Sequence, residues 1–299
     1  EIGGRKMALV NLNRILADAR EGHYAIPAFD VCSYEMANAV IEVAEELKSP
    51  VIFQGLKGDL TDDAFDMMSV IMNILAKKSK VDVCIHLDHA KEFELIKKAI
   101  AQGYTSVMID ASQQPLEENI RLTKEVTEYA HMYGVSVEAE LGHVGDGIVG
   151  DSENAVQSGS EGHESALTKV EDMERFISET NVDALAVAIG TSHGVYKGVP
   201  KLNLELMDEL NKHSEIPLVM HGGSGTPEKD LLKSIELGMC KINIFSDILK
   251  GYYTGMKEFL NEIDNLSVWP SVGNKRAVEY MKKVIREKYE LFGCINKNR

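Results

Sequence analysis

Pro217-Leu218-Val219-Met220-His221-Gly222 is a short apolar run that gives way to Gly223-Ser224-Gly225. Beyond Pro227, the residues Leu231, Leu232, Ile235 and Leu237 recur at helical spacing. The same unit, an apolar run, a polar or glycine turn and an amphipathic stretch, is found along the whole chain. Runs suited to strands are Ala25–Val31, Pro50–Gly55, Val81–Asp88, Ser106–Asp110, Ser136–Gly142, Ala184–Gly190, Pro217–Gly222 and Lys241–Phe245. Near-continuous apolar strands alternating with helices predict a parallel sheet covered by helices. Eight such units predict an α/β protein, a (β/α)8 TIM barrel. An open doubly wound sheet is the rival, but no G-x-G-x-x-G follows the first strand, which argues against its dinucleotide-binding form. A further helix from about Val272 to Phe292 exceeds the eight repeats and has the barrel or a neighbouring subunit to pack on. No linker divides the chain, so one barrel domain is expected over residues 7–293. Residues 1–6 read as a cloning remnant.

The 299 residues carry a formal net charge of −15, and 44% are hydrophobic. That balance argues against a nucleic acid or an anionic membrane as partner. No apolar run is long enough for a membrane span and no signal-peptide pattern opens the chain. Cys32, Cys84, Cys240 and Cys294 are far apart and form no C-x-x-C, so a reducing cytoplasm is the expected compartment.

Active sites of such barrels gather at the C-terminal ends of the strands. Chemistry-bearing residues collect there in this chain. The third strand ends in His86-Leu87-Asp88-His89, the fourth in Asp110 and the fifth in Glu138-Ala139-Glu140. The sixth runs into Gly190-Thr191-Ser192-His193-Gly194, the seventh into His221 and the eighth into Asn243 and Ser246. Three imidazoles from separate strand ends suit a catalytic divalent metal such as zinc, which keeps an open position for substrate. Gly222-Gly223-Ser224-Gly225 ahead of a helix makes a phosphate cradle, with oriented backbone N–H groups. A carboxylate beside a metal-binding histidine is placed for proton transfer, a role that falls to Asp88. His23, His131 and His213 read as surface residues. The stretch from His143 to Thr168 is rich in Gly, Ser, Asp and Glu, and a loop of that length in a barrel reads as a mobile lid.

As an ordered set, the motifs quoted above, with Ser106-Val107-Met108-Ile109-Asp110, Ala186–Gly194 and Lys241-Ile242-Asn243, resemble the class II, metal-dependent ketose-bisphosphate aldolases. The resemblance runs from Met7 to about Gly293. It implies that His89, His193 and His221 bind a catalytic zinc, one per subunit, or another divalent metal. It implies Asp88 as the acid/base at the C4 hydroxyl of a ketose. Glu140, with Asp110 and His86, looks like the family's alternative metal position. Gly194, Gly222, Gly223 and Ser224, followed by Asn243, Ile244, Phe245 and Ser246, would hold dihydroxyacetone phosphate with the help of a sodium or potassium ion. No Schiff-base lysine is required, and Lys241 stands at the start of its strand, at the far end of the barrel. The expected partners are a small-molecule sugar phosphate and further copies of the chain, as a homodimer or homotetramer.

The chain departs from the family pattern in two places. The glutamate of the family's mobile loop is missing, and Asp146, Asp151, Glu153 or His143 are the candidates for its role. At the distal end of the substrate, Asp30 replaces an Asn and Leu56 stands where a Ser contacts the second phosphate. Phe245 takes a position held by Asp or a small residue, and Trp269-Pro270-Ser271 replaces Asp-Pro-Arg. Lys57, Lys275 and Arg276 are the basic residues that could compensate. These changes favour a ketose 1-phosphate over fructose 1,6-bisphosphate as substrate. The alternatives are a conventional fructose- or tagatose-1,6-bisphosphate aldolase, a metal-dependent sugar-phosphate epimerase and a non-catalytic sugar-phosphate binder.

Overall fold

Eight parallel strands close on themselves in the computed structural model, which describes residues 8–58, 60–146, 167–193 and 201–298, without the side chains of 145, 146, 192 and 193. They are β1 (Ile26–Asp30), β2 (Val51–Leu56), β3 (Val83–Ala90), β4 (Ser106–Ile109), β5 (Ser136–Leu141), β7 (Ala184–Val187), β9 (Leu218–Met220) and β10 (Met239–Ile244). A separate two-residue pair, β6 (Gly145–Asp146) and β8 (Ser192–His193), lies beyond β5 and β7 and joins Asp146 to His193 in register. The barrel closes where Ile26 to Phe29 pair with Lys241 to Ile244. Each predicted strand is present, with ends shifted by a few residues.

Helices follow each barrel strand: α2 (Tyr34–Leu47), α3 (Asp62–Lys78), α4 (Phe93–Ala101), α5 (Leu116–His131), α6 (Val170–Thr180), α7 (Leu204–His213), α8 (Glu228–Glu236) and α9 (Ser246–Glu262). In α2, α3 and α7 the start is fixed by Ser33, Thr61 and Asn203, whose side chains accept the N–H of Met36, Ala64 and Leu206. Ahead of the barrel, α1 (Leu12–Gly22) packs against β1, β3, β5 and β10, and the N–H of Leu12 donates to Ser136 Oγ at 3.0 Å.

The extra C-terminal helix is α10 (Pro270–Leu291), which packs on α9 and α2. Two glycines let α9 and α10 meet backbone to backbone. A Cβ on Gly255 would stand 2.7 Å from the carbonyl of Arg276 and 2.8 Å from Ala277 Cα. Tyr289 anchors α10 on the barrel, its ring edge-on to Phe29 and its hydroxyl donating to Pro50 O at 3.2 Å. The packed chain continues past the expected limit at Gly293. Asn296 N–H and Asn298 N–H donate to Leu47 O and Lys48 O, and Asp82 N–H donates to Asn298 Oδ1.

Overpacking a tight contact costs about 1–3 kcal/mol. Gly255→Val, which would drive a branched side chain into the α10 backbone, should therefore lower the thermal midpoint by roughly 5 °C. An unchanged melting curve followed by circular dichroism would contradict this account of the α9–α10 contact.

Candidate active site

Side chains alternate along a strand, so residues two apart face the same way. Three strands use this to send polar pairs into the barrel, His86 with Asp88, Glu138 with Glu140, and Lys241 with Asn243, and β2 adds Gln54. His86, Glu138 and Lys241 are wholly removed from solvent, and Asp88 and Glu140 nearly so. By alternation His89 would face outward. Two features turn it inward instead: β3 shifts register against β4 between Leu87 and Ala90, and His89 has a φ of +44°. A non-glycine residue in the left-handed region is costly and is tolerated where function holds it.

The result is two imidazoles that meet at right angles, 4.6 Å between centroids, with His89 Nε2 2.8 Å from His221 Nδ1. Each ring is gripped from behind. His89 Nδ1 lies 3.0 Å from Asp110 Oδ2, and His221 Nε2 lies 2.8 Å from Glu138 Oε1. A carboxylate accepts, so each ring gives its N–H to the carboxylate behind it and turns a lone pair toward the other ring. Two lone pairs so close call for a cation between them. Asp88 Oδ2 is 3.8 Å from His89 Nε2, and Glu140 Oε2, a buried oxygen without a hydrogen-bond donor among the described residues, is 3.9 Å from His221 Nδ1. Two nitrogens and flanking carboxylate oxygens form a donor set that suits zinc or a similar divalent ion.

The electrostatics point the same way. Burial alone would lower the His89 pKa, but Asp88, Asp110 and Glu140 raise it well above the ordinary imidazole value. Burial and the neighbouring Asp110 push the Glu140 carboxyl up. Asp88 is also buried, yet His89, His221, Lys241 and His86 hold its carboxyl below the usual range. The pocket is a cage of excess negative charge that takes up a proton when no metal neutralises it.

His86 departs from its expected place. Glu140 and Asp110 group with His89, whereas His86 groups with Asp88 and Glu138 in a separate cluster. Its Nδ1 is 2.8 Å from Ser106 Oγ, and burial with the nearby Lys241 ammonium pushes its pKa down to about 4, so the ring is neutral. Asp88 Oδ1 accepts from Gln54 Nε2 at 2.8 Å and from Asn243 Nδ2 at 3.3 Å, which leaves Oδ2 toward the histidines.

Lys241 is also corrected. It lies within β10 rather than at its start, and its side chain runs up the barrel interior to Glu138 and Asn243. His193 is described by its backbone alone, as is Asp146. Gly194, Asp151 and Glu153, like residues 147–166 of the expected lid, lie outside the described residues. His143 Nδ1 is 3.3 Å from Ser112 Oγ, which in turn donates to Asp110 Oδ1 at 2.7 Å.

On the other side of the mouth, Gly222 and Gly225 have positive φ, and Gly223 is pressed against β10. A Cβ there would meet Ile242 Cγ2 at 2.4 Å and Asn243 O at 2.8 Å. Ser224 Oγ accepts the N–H groups of Phe245 and Asp247 at 3.1 and 3.3 Å. These amides open α9, so Ser224 ties the glycine turn to the N-terminus of that helix, where the cradle is expected. Ser246 stands between them. Ile244 is buried in the core and offers this rim its backbone alone.

Two residues of the expected distal end stand at strand ends. Asp30 is buried at the end of β1, in register with Gln54, while Leu56 at the end of β2 is in register with Asp88. Between α10 and α2, Glu35 Oε1 accepts from Asn274 Nδ2 at 2.7 Å. Two basic residues considered as compensation are engaged elsewhere: Lys57 Nζ is 3.2 Å from Asp62 Oδ1, and Arg276 pairs with Glu258 and Glu262 at 3.3 and 3.1 Å.

Sequence reading did not assign roles to Gln54, Glu138 or Lys241. The signal was present, since each is a polar residue within an otherwise apolar strand.

Residues 10–297 match the family model for fructose-bisphosphate aldolase class-II. Among solved structures, the YdjI aldolase from Escherichia coli K12 is 35% identical, with 97% of this chain and 100% of that one covered and a TM-score of 0.84. A protein described as a fructose-1,6-bisphosphate aldolase from Coccidioides immitis is 27% identical over 96% of this chain and 97% of that one, with a TM-score of 0.82. A fructose-bisphosphate aldolase from Campylobacter jejuni is 25% identical over 97% of each chain, with a TM-score of 0.78. The chain belongs to the class II fructose-bisphosphate aldolase family.

Proposed function

We propose that the chain is a zinc-dependent aldolase that cleaves a ketose 1-phosphate reversibly to dihydroxyacetone phosphate and an aldehyde. The observation that carries this reading is the pair of facing nitrogens, His89 Nε2 and His221 Nδ1, with Asp88 beside them. His89, His221 and His193 would hold the ion. Bound there, zinc would supply Lewis-acid stabilisation of the negative charge that develops when the carbon chain is cut.

The remaining work falls to the protein. Asp88, ionised and held at Oδ1 by Gln54 and Asn243, uses Oδ2 to take the proton from the C4 hydroxyl. The C3–C4 bond then breaks, C4 becomes the aldehyde carbon, and the electron pair passes to the dihydroxyacetone phosphate half. In the reverse direction Asp88 returns the proton to the new hydroxyl. Gly222, Gly223 and Ser224, beside the N-terminus of α9, hold the phosphate and so fix the carbonyl toward the histidines. A residue of the loop after β5, Asp146 among them, would exchange the proton at C3.

Removal of metal by a chelator should abolish turnover, with recovery on adding zinc. His89→Ala or His221→Ala should weaken zinc binding sharply, because a site with three protein ligands has none to spare. Asp88→Ala should keep the metal and lose activity. Full turnover after exhaustive chelation, or loss of zinc from the Asp88 variant, would overturn these roles.

The choice of a 1-phosphate rests on the distal end. Asp30 supplies negative charge there, Leu56 supplies no hydrogen bond, and Lys57 and Arg276 are paired with carboxylates elsewhere. A second phosphate in this half of the mouth would lose several kcal/mol through missing donors and repulsion. The Coccidioides immitis and Campylobacter jejuni proteins favour the other reading, fructose 1,6-bisphosphate, by the names they carry. We expect kcat/KM for fructose 1,6-bisphosphate to be at least about 100-fold below that for a ketose 1-phosphate with an uncharged tail. Asp30→Asn with Leu56→Ser should narrow the gap. Efficient cleavage of the bisphosphate by the unaltered protein would decide for the second reading.

A further inference from the structure

Lys241 is an ammonium in the barrel interior with no solvent exposure. Its Nζ donates to Glu138 Oε1 at 3.2 Å and to Asn243 Oδ1 at 2.8 Å, and lies 2.9 Å from Glu138 Oε2 as an ion pair. These two partners lead to different parts of the site. Glu138 Oε1 receives the Nε2–H of His221, so it sets the tautomer that aims Nδ1 at His89. Asn243 has its carbonyl oxygen fixed by the ammonium, so its NH2 group must turn the other way, toward Asp88 Oδ1 and Oδ2 at 3.3 and 3.5 Å. A neutral side chain here would free the amide to flip and would strand the Glu138 charge in a dry core.

We infer that Lys241 is a positioning residue with two arms, one orienting the metal ligand His221 through Glu138 and the other orienting the acid/base Asp88 through Asn243. Its contribution to metal binding is indirect, since it repels the metal as a like charge and helps only by fixing Glu138. Outer partners of this kind typically affect metal affinity 10–100-fold. The inference rests on the proposed metal-dependent reading, and direct measurement of zinc binding separates the two. A wild-type protein that binds no zinc would overturn that reading and the inference with it.

The test compares zinc affinity, by competition with a chromophoric chelator, with kcat at saturating zinc. Lys241→Met should lower zinc affinity by about 10-fold or more and should also lower kcat when the metal is fully loaded. The double variant Glu138→Gln with Lys241→Met keeps an amide oxygen for His221 and removes the stranded charge. It should recover most of the zinc affinity while its kcat stays low, because Asn243 remains unanchored. A merely structural lysine would lose or recover both readouts together. Circular dichroism of the metal-free proteins reports whether each variant is folded; if Lys241→Met is not, the neutral double variant carries the test. Wild-type zinc affinity in a folded Lys241→Met, or wild-type kcat in the double variant, would overturn the inference.

Discussion

The ion pair between Lys241 and Glu138 lies where water cannot reach, inside a closed ring of strands. A charge in such a place is tolerated only if it is paired and its remaining hydrogen bonds are made. That constraint orders the site in layers. In the lower layer the ammonium holds Glu138 ionised against burial, and His221 adds a hydrogen bond to it. In the upper layer Asp88, Asp110 and Glu140 stand around the facing rings of His89 and His221, and negative charge is in excess. The lower layer carries its own counter-charge, whereas the upper layer needs a cation. A proton on His89 answers that need in the bare protein, and a divalent ion answers it better because it meets both facing lone pairs at once. Fold and chemistry therefore share one cause, the cost of unbalanced charge in a closed barrel.

Much of this was legible in the sequence. Every barrel strand showed itself because burial on both faces demands an unbroken apolar run, and strand ends moved where local backbone intervened. Pro217–Gly222 contracted to Leu218–Met220, for instance, with the positive φ of Gly222 just beyond the strand. The polar pairs His86/Asp88 and Glu138/Glu140 marked inward faces, since a parallel strand covered on both sides otherwise has no use for them. The inward turn of His89 was not legible from alternation, because it depends on a register shift against β4 and on a left-handed backbone, both products of strand pairing. Lys241 was placed near the wrong end for a different reason. Position along a strand locates the Cα, but a four-carbon stem carries the ammonium a layer further up. His86 was put with the wrong carboxylates because sequence gives strand order and not which cluster an inward side chain joins. The helix before the first strand was not anticipated, although Leu12, Ile15, Leu16 and Ala19 are buried at helical spacing.

The two halves of the mouth are built differently, and this bears on why a family can be read from one chain while a substrate cannot. The half proposed for the phosphate is made of backbone: turns at positive φ, tied by Ser224 to the start of α9, and Gly223 set where any side chain would strike Ile242 and the Asn243 carbonyl. Such a surface admits few sequences, so its glycines and their neighbours identify the chemistry they serve. The half proposed for the distal end is made of side chains, Asp30 and Leu56, standing at the ends of β1 and β2. Strand pairing is made by backbone, so it survives a change of side chain at either position. In the proposed reading, backbone geometry fixes the reacting end of the substrate, and side chains at the strand ends are left to choose the other end. Asp30 and Leu56 would then set the distal half of the substrate, while the bonds that balance charge beneath run between Lys241, Glu138, Asn243 and His221.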